Sequence, residues 1–188
     1  MASNRVRIIG GHWRSRWIKF PDADDLRPTP DRVRETVFNW LGQDLTGASC
    51  LDLFAGSGAL GFEAASRGAR EVVLVERDRR IAQSLQENAR TLCGDSGTVT
   101  VVRADALEFL KRDRRTYDVA FLDPPYSVWE ETPDATKALL QMLERRLKPA
   151  AQVYLEAAQT LELPPDWQTI KNNRAGAVHY QLAQPISQ

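Results

Sequence analysis

Three glycines mark the junction between a short apolar strand and a helix near residue 55. Residues 52–61 read Asp-Leu-Phe-Ala-Gly-Ser-Gly-Ala-Leu-Gly, so Gly56, Gly58 and Gly61 have the spacing G-x-G-x-x-G. This spacing is typical of the tight turn between a strand and a helix in a parallel sheet. Glu76 ends the next apolar run, twenty residues past Gly56. The chain is therefore expected to begin a right-handed strand–helix–strand unit at residue 50.

The same alternation continues toward the carboxyl end. Apolar runs predict strands at residues 50–54, 71–76, 98–103, 117–122 and 152–156. Helical spacing predicts helices at 59–67, 79–92, 106–112 and 132–147, and Thr29-Pro30 is typical of a helix start, with Thr29 as cap. Continuous apolar strands between helices indicate an α/β fold with a doubly wound, mostly parallel, Rossmann-like sheet. Residues 168–172 and 177–182 add a C-terminal antiparallel hairpin.

Basic side chains are concentrated at the start of the chain. Lys and Arg together number 25, as do Asp and Glu, so the net charge is zero. This balance excludes binding of nucleic acid by bulk charge alone. Residues 1–34 nevertheless carry eight basic and four acidic side chains. Two β-prone runs, 5–9 and 12–20, flank Gly10-Gly11 and predict a hairpin. We expect residues 1–21 to form a basic β-hairpin arm on a domain spanning 22–188.

Two tryptophans lie among the arginines of this arm. Trp13 and Trp17 flank Arg14 and Arg16, and aromatic side chains beside cations are suited to stacking on unpaired bases. Packing of one hairpin face on the body is the alternative interpretation. The segment is expected to contact nucleic acid.

The glycine loop and Glu76 suit two cofactors, NAD and S-adenosylmethionine, because both present an adenosine ribose to an acid on the second strand. Asp52 favours the second, since a carboxylate beside the loop repels a pyrophosphate but attracts a sulfonium and an ammonium group. Asp105 follows the third strand, where it can accept a hydrogen bond from the adenine amino group or cap the next helix. The two roles of Asp105 are compatible.

Residues 123–126 read Asp-Pro-Pro-Tyr, directly after the predicted strand 117–122. Ligands of open α/β sheets bind beyond the carboxyl ends of the strands. An exocyclic amine on a base is a weak nucleophile, and acceptors at Asp123 and the Pro124 carbonyl would localise its lone pair. Pro124 and Pro125 fix the backbone, and Tyr126 offers a ring for stacking. The pattern indicates transfer of a methyl group to a base amine without a metal.

Several segments together resemble a known family. Residues 7–11 read Arg-Ile-Ile-Gly-Gly, residues 26–35 read Leu-Arg-Pro-Thr-Pro-Asp-Arg-Val-Arg-Glu, and residues 38–41 read Phe-Asn-Trp-Leu. With the loop 52–61 and the motif 123–126, they make nearly the whole chain similar to the RsmD family of bacterial 16S ribosomal RNA guanine-N2 methyltransferases. Ser15 stands where that family often has glycine.

The resemblance implies a catalytic set, a cofactor set and an RNA-contacting set, with the segment 27–35 close to both ligands. The catalytic set is Asp123, Pro124, Pro125 and Tyr126. The residues expected to hold S-adenosylmethionine are Asp52, Ala55, Gly56, Ser57, Gly58, Glu76, Asp105, Ala106 and Thr29. Those expected to contact RNA are Arg7, Arg14, Arg16, Trp17, Lys19, Arg32 and Arg34.

The resemblance further implies an enzyme that acts on 16S rRNA within the small ribosomal subunit or an assembly intermediate, and we expect a cytoplasmic monomer. No apolar run is long enough to cross a membrane. The alternatives are a DNA adenine-N6 or protein glutamine-N5 methyltransferase, which often has Asn at the position of Asp123, and a non-catalytic RNA-binding module. A nicotinamide dehydrogenase is opposed by Asp52 and Asp123.

Overall fold

Nine strands and six helices follow one another in the computed structural model, which describes residues 4–22, 26, 28–125, 127–130 and 133–186. The strands are β1 (Arg5–Arg7), β2 (Trp17–Lys19), β3 (Ser49–Asp52), β4 (Glu71–Glu76), β5 (Val99–Arg103), β6 (Tyr117–Leu122), β7 (Leu147–Ala157), β8 (Trp167–Ala175) and β9 (Val178–Pro185). The helices are α1 (Asp31–Leu41), α2 (Ala59–Ser66), α3 (Arg79–Cys93), α4 (Ala106–Arg112), α5 (Ser127–Glu130) and α6 (Pro133–Glu144).

Seven of these strands form one sheet in the order β5-β4-β3-β6-β7-β9-β8. The five strands from β5 to β7 are parallel, and β9 and β8 continue the sheet as an antiparallel hairpin. The chain leaves β3 in one direction for β4 and β5, and later returns to its other side as β6. The fold is therefore the doubly wound α/β arrangement expected from the sequence, with its switch point between β3 and β6.

Two predicted boundaries are wrong. The helix expected at 132–147 ends at Glu144, and its expected start at Thr132 lies outside the described residues. Leu147 instead begins β7, where it pairs with Tyr117. Thr29 does not cap α1, which begins at Asp31 without a side-chain cap. The reason is that both polar groups of Thr29 are bound elsewhere: its carbonyl accepts from Arg34 and its hydroxyl donates to Asp123.

Apolar side chains cover both faces of the sheet. One face packs against α1, α2 and α3, with Phe38, Phe62 and Phe121 fully buried. The other packs against α4 and α6 through Phe109, Leu140 and further buried aliphatic residues. No helix of the described residues is both long and apolar enough to span a bilayer.

The N-terminal hairpin forms a separate two-stranded sheet, with Val6 paired to Ile18 at its centre. The hairpin expected around Gly10-Gly11 forms, but its strands are shorter than the predicted runs 5–9 and 12–20, because residues 8–16 make a longer connection. Gly11 has a φ of 74°, and a Cβ there would lie 1.9 Å from the Ser66 carbonyl oxygen. Ser15 has a φ of 70°, a conformation that favours glycine. The apolar side chains of Val6 and Ile18 belong to the core of the body.

A buried ionic cluster joins this hairpin to the helices. Glu63 on α2 and Arg34 on α1 have no exposed surface, and their side chains lie 3.4 Å apart. Arg67, one turn after Glu63, lies 2.9 Å from the same carboxylate. Glu63 therefore faces two guanidinium groups in the interior, where a charge is tolerated only if it is paired.

The remaining hydrogen bonds of this cluster reach the hairpin backbone. The Ile9 and Gly10 amides donate to the two oxygens of Glu63 at 2.9 and 2.7 Å. Arg34 donates to the Arg7 carbonyl at 2.9 Å, and it also pairs with Asp31. The first strand, α1 and α2 are therefore held by a single set of charge-assisted bonds.

Replacement of Glu63 by alanine should strongly destabilise the fold, because buried Arg67 would lose its counter-charge and buried Arg34 would keep only the exposed Asp31. We expect a loss of about 3–5 kcal/mol in the free energy of unfolding, and a smaller loss for Glu63→Gln, which keeps an acceptor. Urea unfolding measures both. The exposed Glu87→Ala on α3 is the control, expected within about 0.5 kcal/mol of wild type. A loss below about 1 kcal/mol for Glu63→Ala would contradict the proposed role.

Candidate active site

The carboxyl ends of the five parallel strands each carry an acidic side chain. These acids are Asp52 at β3, Glu76 at β4, Asp105 after β5, Asp123 after β6 and Glu156 on β7. Since these ends meet at one edge of the sheet, the acids line a common rim around the switch point between β3 and β6. A rim of carboxylates favours a ligand that is cationic or rich in hydrogen-bond donors.

Backbone hydrogen bonds hold the glycine loop against both neighbours of β3. The Leu53 amide donates to the Phe121 carbonyl on β6 at 3.0 Å, and the Ala55 amide donates to the Val75 carbonyl on β4 at 2.9 Å. The Gly58 amide then closes the turn onto the Ala55 carbonyl at 2.6 Å. The loop is thus fixed by the sheet on both sides.

Gly58 and Ser57 set the start of α2. Gly58 has a φ of 79°, and a Cβ there would lie 2.6 Å from the Phe62 ring, so only glycine fits without displacement. Ser57 is buried, and its hydroxyl accepts from the Ala59 amide at 3.4 Å. The loop backbone is therefore packed closely at the helix start.

Glu76 binds the loop directly. Its carboxylate accepts from the Gly56 amide at 3.1 Å and from the Asp78 amide at 2.8 Å. Asp105 accepts from the Leu107 and Glu108 amides and so caps α4, one of its two expected roles. Ala106, beside it, is buried.

Asp52 lies beneath the loop with 2% of its surface exposed. Burial raises its pKa to about 7, and the neighbouring charge of Glu76 adds to the rise, while a hydrogen bond from the Gly61 amide opposes it. Near neutral pH this carboxyl group therefore carries only part of its negative charge. A cationic ligand beside Asp52 would lower the pKa of this carboxyl group and so restore its full negative charge.

Asp123 follows β6 and faces Thr29. The Thr29 hydroxyl donates to the Asp123 carboxylate at 3.3 Å, although Thr29 was expected in the cofactor set. Burial raises the pKa of Asp123 well above its usual value, and the charges of Glu156 and Asp52 raise it further. Pro124 is buried and Pro125 exposed, and the Pro125 carbonyl accepts from the Val128 amide at 2.9 Å. Tyr126 lies outside the described residues.

Sequence reasoning missed Glu156, which is 6% exposed and next to Asp123 in the sheet. Leu122 pairs with Leu155, so the next positions of β6 and β7 are Asp123 and Glu156. The Tyr154 hydroxyl donates to the Glu156 carboxylate at 2.6 Å. The signal was present in the sequence, since Glu156 is the last residue of the predicted strand 152–156, just as Glu76 is the last residue of the predicted strand 71–76.

The hairpin presents most of the predicted RNA-contacting side chains to solvent. Trp17 is 47% exposed, and the Arg5 guanidinium stacks 4.3 Å from the centre of its ring. A groove of about 310 Å³ runs between the hairpin and the segment before α1, and its lining includes Trp17, Arg7 and Thr29. The groove therefore leads from the hairpin toward the residue that binds Asp123. The other exposed members of the predicted set are Arg14, Arg16, Lys19 and Arg32.

Arg34 must be removed from the predicted RNA-contacting set. Its side chain has no exposed surface, because it is enclosed by Glu63, Asp31 and two backbone carbonyls. An arginine within a basic segment was interpreted as a surface residue, whereas its partner Glu63 lies 29 positions away. Arg27, in the same segment, lies outside the described residues.

Comparison with known proteins gives a consistent result. The family model described as "Conserved hypothetical protein 95" matches residues 6–184. The Escherichia coli K12 protein named ribosomal RNA small subunit methyltransferase D is 42% identical over 194 aligned positions, which cover 100% of this chain and 93% of that protein. The Haemophilus influenzae protein of the same name is 41% identical, covering 97% of this chain and 95% of that protein.

A solved structure agrees with these relatives. The structure described as a putative methyltransferase, yhhF, from Escherichia coli superposes with a TM-score of 0.84 and 40% sequence identity. The superposition covers 98% of this chain and 99% of that one. On the full-length matches in sequence and in structure, the chain belongs to the RsmD family, whose members are methyltransferases of the ribosomal RNA small subunit methyltransferase D type.

Proposed function

We propose that this protein transfers a methyl group from S-adenosylmethionine to the exocyclic N2 amine of a guanine in 16S rRNA. The observation that carries the proposal is the position of Asp123, which directly follows β6, the strand that pairs with β3 at the start of the glycine loop. Named relatives that modify small-subunit rRNA support the class of substrate. The resemblance of the motif regions to guanine-N2 methyltransferases supports the choice of atom.

The residues around the glycine loop fit S-adenosylmethionine. Its sulfonium and ammonium groups are cationic, and Asp52 and Glu76 supply carboxylates below and beside the loop. Asp105 lies after β5, where an adenine amino group can be bound. When bound, this cofactor supplies an electrophilic methyl group. Ala55, Gly56, Ser57 and Gly58 would hold it through the loop backbone.

Asp123 and the Pro124 carbonyl are suited to orient the attacking amine. Both are acceptors, and no described residue donates to the Pro124 carbonyl. Hydrogen bonds from the two N–H groups of the amine would hold its lone pair toward the methyl donor. The two prolines keep this acceptor pair rigid, which is the preorganisation that catalysis requires.

Asp123 is also suited to receive the proton that the amine loses. The nitrogen becomes positively charged as it bonds to the methyl group, and it then releases a proton easily. Because the pKa of Asp123 is raised by burial and by neighbouring acids, its carboxylate is a stronger base than an exposed aspartate. No histidine is needed in this scheme.

The hairpin arm is proposed to bind the rRNA around the target base. Arg7, Arg14, Arg16 and Lys19 supply exposed cations, and Trp17 supplies a partly exposed ring beside the groove. Arg32 extends the basic surface onto α1. A monomer acting in the cytoplasm on the small subunit, or on an assembly intermediate, fits this local binding surface. Transfer to a DNA adenine or a protein glutamine remains the second candidate.

Replacement of Asp52 by asparagine should stabilise the protein and weaken its binding of the cofactor. Because its pKa is raised, the contribution of Asp52 to wild-type stability is most favourable below pH 4 and becomes less favourable as pH rises to about 7. Asp52→Asn lacks this fall, so its advantage should grow over that range and reach about 1–3 kcal/mol at pH 8. Urea unfolding at pH 4 to 8 measures it. Calorimetry with S-adenosylmethionine should show roughly tenfold weaker binding. Equal stability of wild type and Asp52→Asn at pH 8 would contradict the raised pKa of Asp52.

Transfer to guanine is tested with labelled S-adenosylmethionine and small ribosomal subunits from cells lacking this enzyme. Nuclease mapping should place the label on the N2 amine of one guanine of 16S rRNA. Under single-turnover conditions Asp123→Ala should be about 10²–10³-fold slower, by analogy with loss of one oxyanion-hole donor. Asp123→Asn should lie between Ala and wild type, because its amide oxygen still accepts.

Melting temperature and cofactor affinity serve as the controls for these two variants: the melting temperature should not fall below that of wild type, and cofactor affinity should stay close to wild type. An alanine variant within about threefold of wild type would remove Asp123 from the reaction. Label found only on an adenine or a protein glutamine would replace the proposed function with the second candidate.

Removing three positive charges from the hairpin should weaken RNA binding without changing cofactor binding. Arg14, Arg16 and Lys19 replaced together by alanine should lower the salt dependence of subunit binding by about 2–3 units of slope, close to one per phosphate contact. Cofactor affinity should not change. The matched control is the alanine triple at Lys111, Arg112 and Arg114, which removes the same charge on the opposite face of the sheet. Equal slopes for the two triples would show that the hairpin serves only in packing.

A further inference from the structure

Glu156 has no part in the function proposed above, yet it is placed where it would meet the same base. It follows Leu155, which pairs with Leu122, so it lies beside Asp123 on the neighbouring parallel strand. Residues at matching positions of parallel strands point to the same face of a sheet. Two acidic side chains therefore stand next to each other at the floor of the candidate site.

Hydrogen bonds fix the Glu156 position from two sides. The Trp129 indole on α5 donates to its carbonyl at 2.7 Å, which ties the helix after the Asp-Pro-Pro loop to this strand. The Tyr154 hydroxyl donates to its carboxylate at 2.6 Å. Among the described residues, Tyr154 is the one donor to that carboxyl group. Its second oxygen is therefore available to a donor on a ligand.

The charges of Asp123 and Glu156 determine which kind of ligand can bind beside them. A carboxylate accepts hydrogen bonds and donates none. Asp123 and Glu156 thus present two acceptors side by side, and burial together with the charge of Glu156 raises the pKa of Asp123. A ligand edge with two adjacent donors relieves this repulsion, whereas an edge with a donor next to an acceptor places a lone pair against a carboxylate.

Only one nucleobase has such an edge beside an exocyclic amine. Guanine presents its N2 amine next to the ring N1–H, so both atoms donate. Adenine and cytosine present an amine next to an unprotonated ring nitrogen, which accepts. We propose that Glu156 selects guanine by accepting the hydrogen bond from N1–H while Asp123 accepts the bond from the N2 amine. This inference rests on the proposed function and names the residue that determines its specificity.

The test compares guanine with 2-aminopurine, which keeps the N2 amine but has an unprotonated N1. Small subunits are reconstituted with 16S rRNA that carries either base at the mapped position. With saturating S-adenosylmethionine, wild-type protein should methylate guanine about 10–100-fold faster, the value of a hydrogen bond to a charged group. Glu156→Gln should lose most of this preference, because its amide can donate to the N1 of 2-aminopurine.

The ratio of the rates on guanine and on 2-aminopurine distinguishes recognition of N1–H by Glu156 from other roles of this residue. If Glu156 acted only through the charge of Asp123 or through packing, Glu156→Gln would slow both substrates by the same factor, and the proposal would be overturned. The exposed Glu162→Gln is the matched control and should keep the wild-type ratio. Tyr154→Phe, which leaves the carboxylate but removes its hydrogen bond, should reduce the ratio as well and serves if Glu156→Gln does not fold.

The wild-type protein alone already tests the idea. Equal rates on the two bases would overturn the role of Glu156 while leaving guanine methylation in place. Absence of transfer to either base would overturn the proposed function, and this inference with it. A guanine preference that collapses in Glu156→Gln but not in Glu162→Gln would support it.

Discussion

The buried carboxylate of Glu63 is the interaction on which the arrangement of this molecule depends. It accepts hydrogen bonds from the hairpin backbone and from Arg67, and it pairs with Arg34. Arg34 in turn binds the carbonyl of Thr29, whose hydroxyl donates to Asp123. A continuous set of polar contacts therefore runs from the first strand of the chain to the candidate catalytic acid. Because Glu63, Arg34 and Arg67 are buried together, movement of one element leaves a charge of another uncompensated.

The carboxyl edge of the sheet has the opposite character. Among the residues that the structure describes, its acids have no matching cations, and burial raises the pKa values of Asp52, Asp123 and Glu156, with neighbouring acids raising those of Asp52 and Asp123 further. This edge costs stability, which is common where a protein must hold a ligand of complementary charge. The glycine loop keeps its conformation despite this loss of stability, because backbone hydrogen bonds to β4 and β6 hold it on both sides. Ligand binding would supply the missing donors and positive charge.

Local sequence patterns predicted the parallel sheet, because each strand is a continuous apolar run and each helix has its own periodicity. They also placed Asp52, Glu76 and Asp123 at strand ends, which is where the site formed. They failed where a side chain acts over a long separation. Arg34 was interpreted as a surface residue since Glu63 is distant in sequence, and Thr29 was interpreted as a cap since Asp123 is more distant still. Glu156 was missed because its significance depends on which strand lies beside it.

The inward side chains of the N-terminal hairpin have a consequence for how the chain acquires its structure. Val6 and Ile18 need the surface of α2 and α3, and Asn88 on α3 holds the Lys19 backbone through two hydrogen bonds. During synthesis the first twenty residues therefore cannot pack against the body until about seventy more residues have left the ribosome. Contacts between such distant positions close slowly. The earliest part of the chain to be made is thus among the last to become ordered, and the basic arm stays exposed to other partners meanwhile.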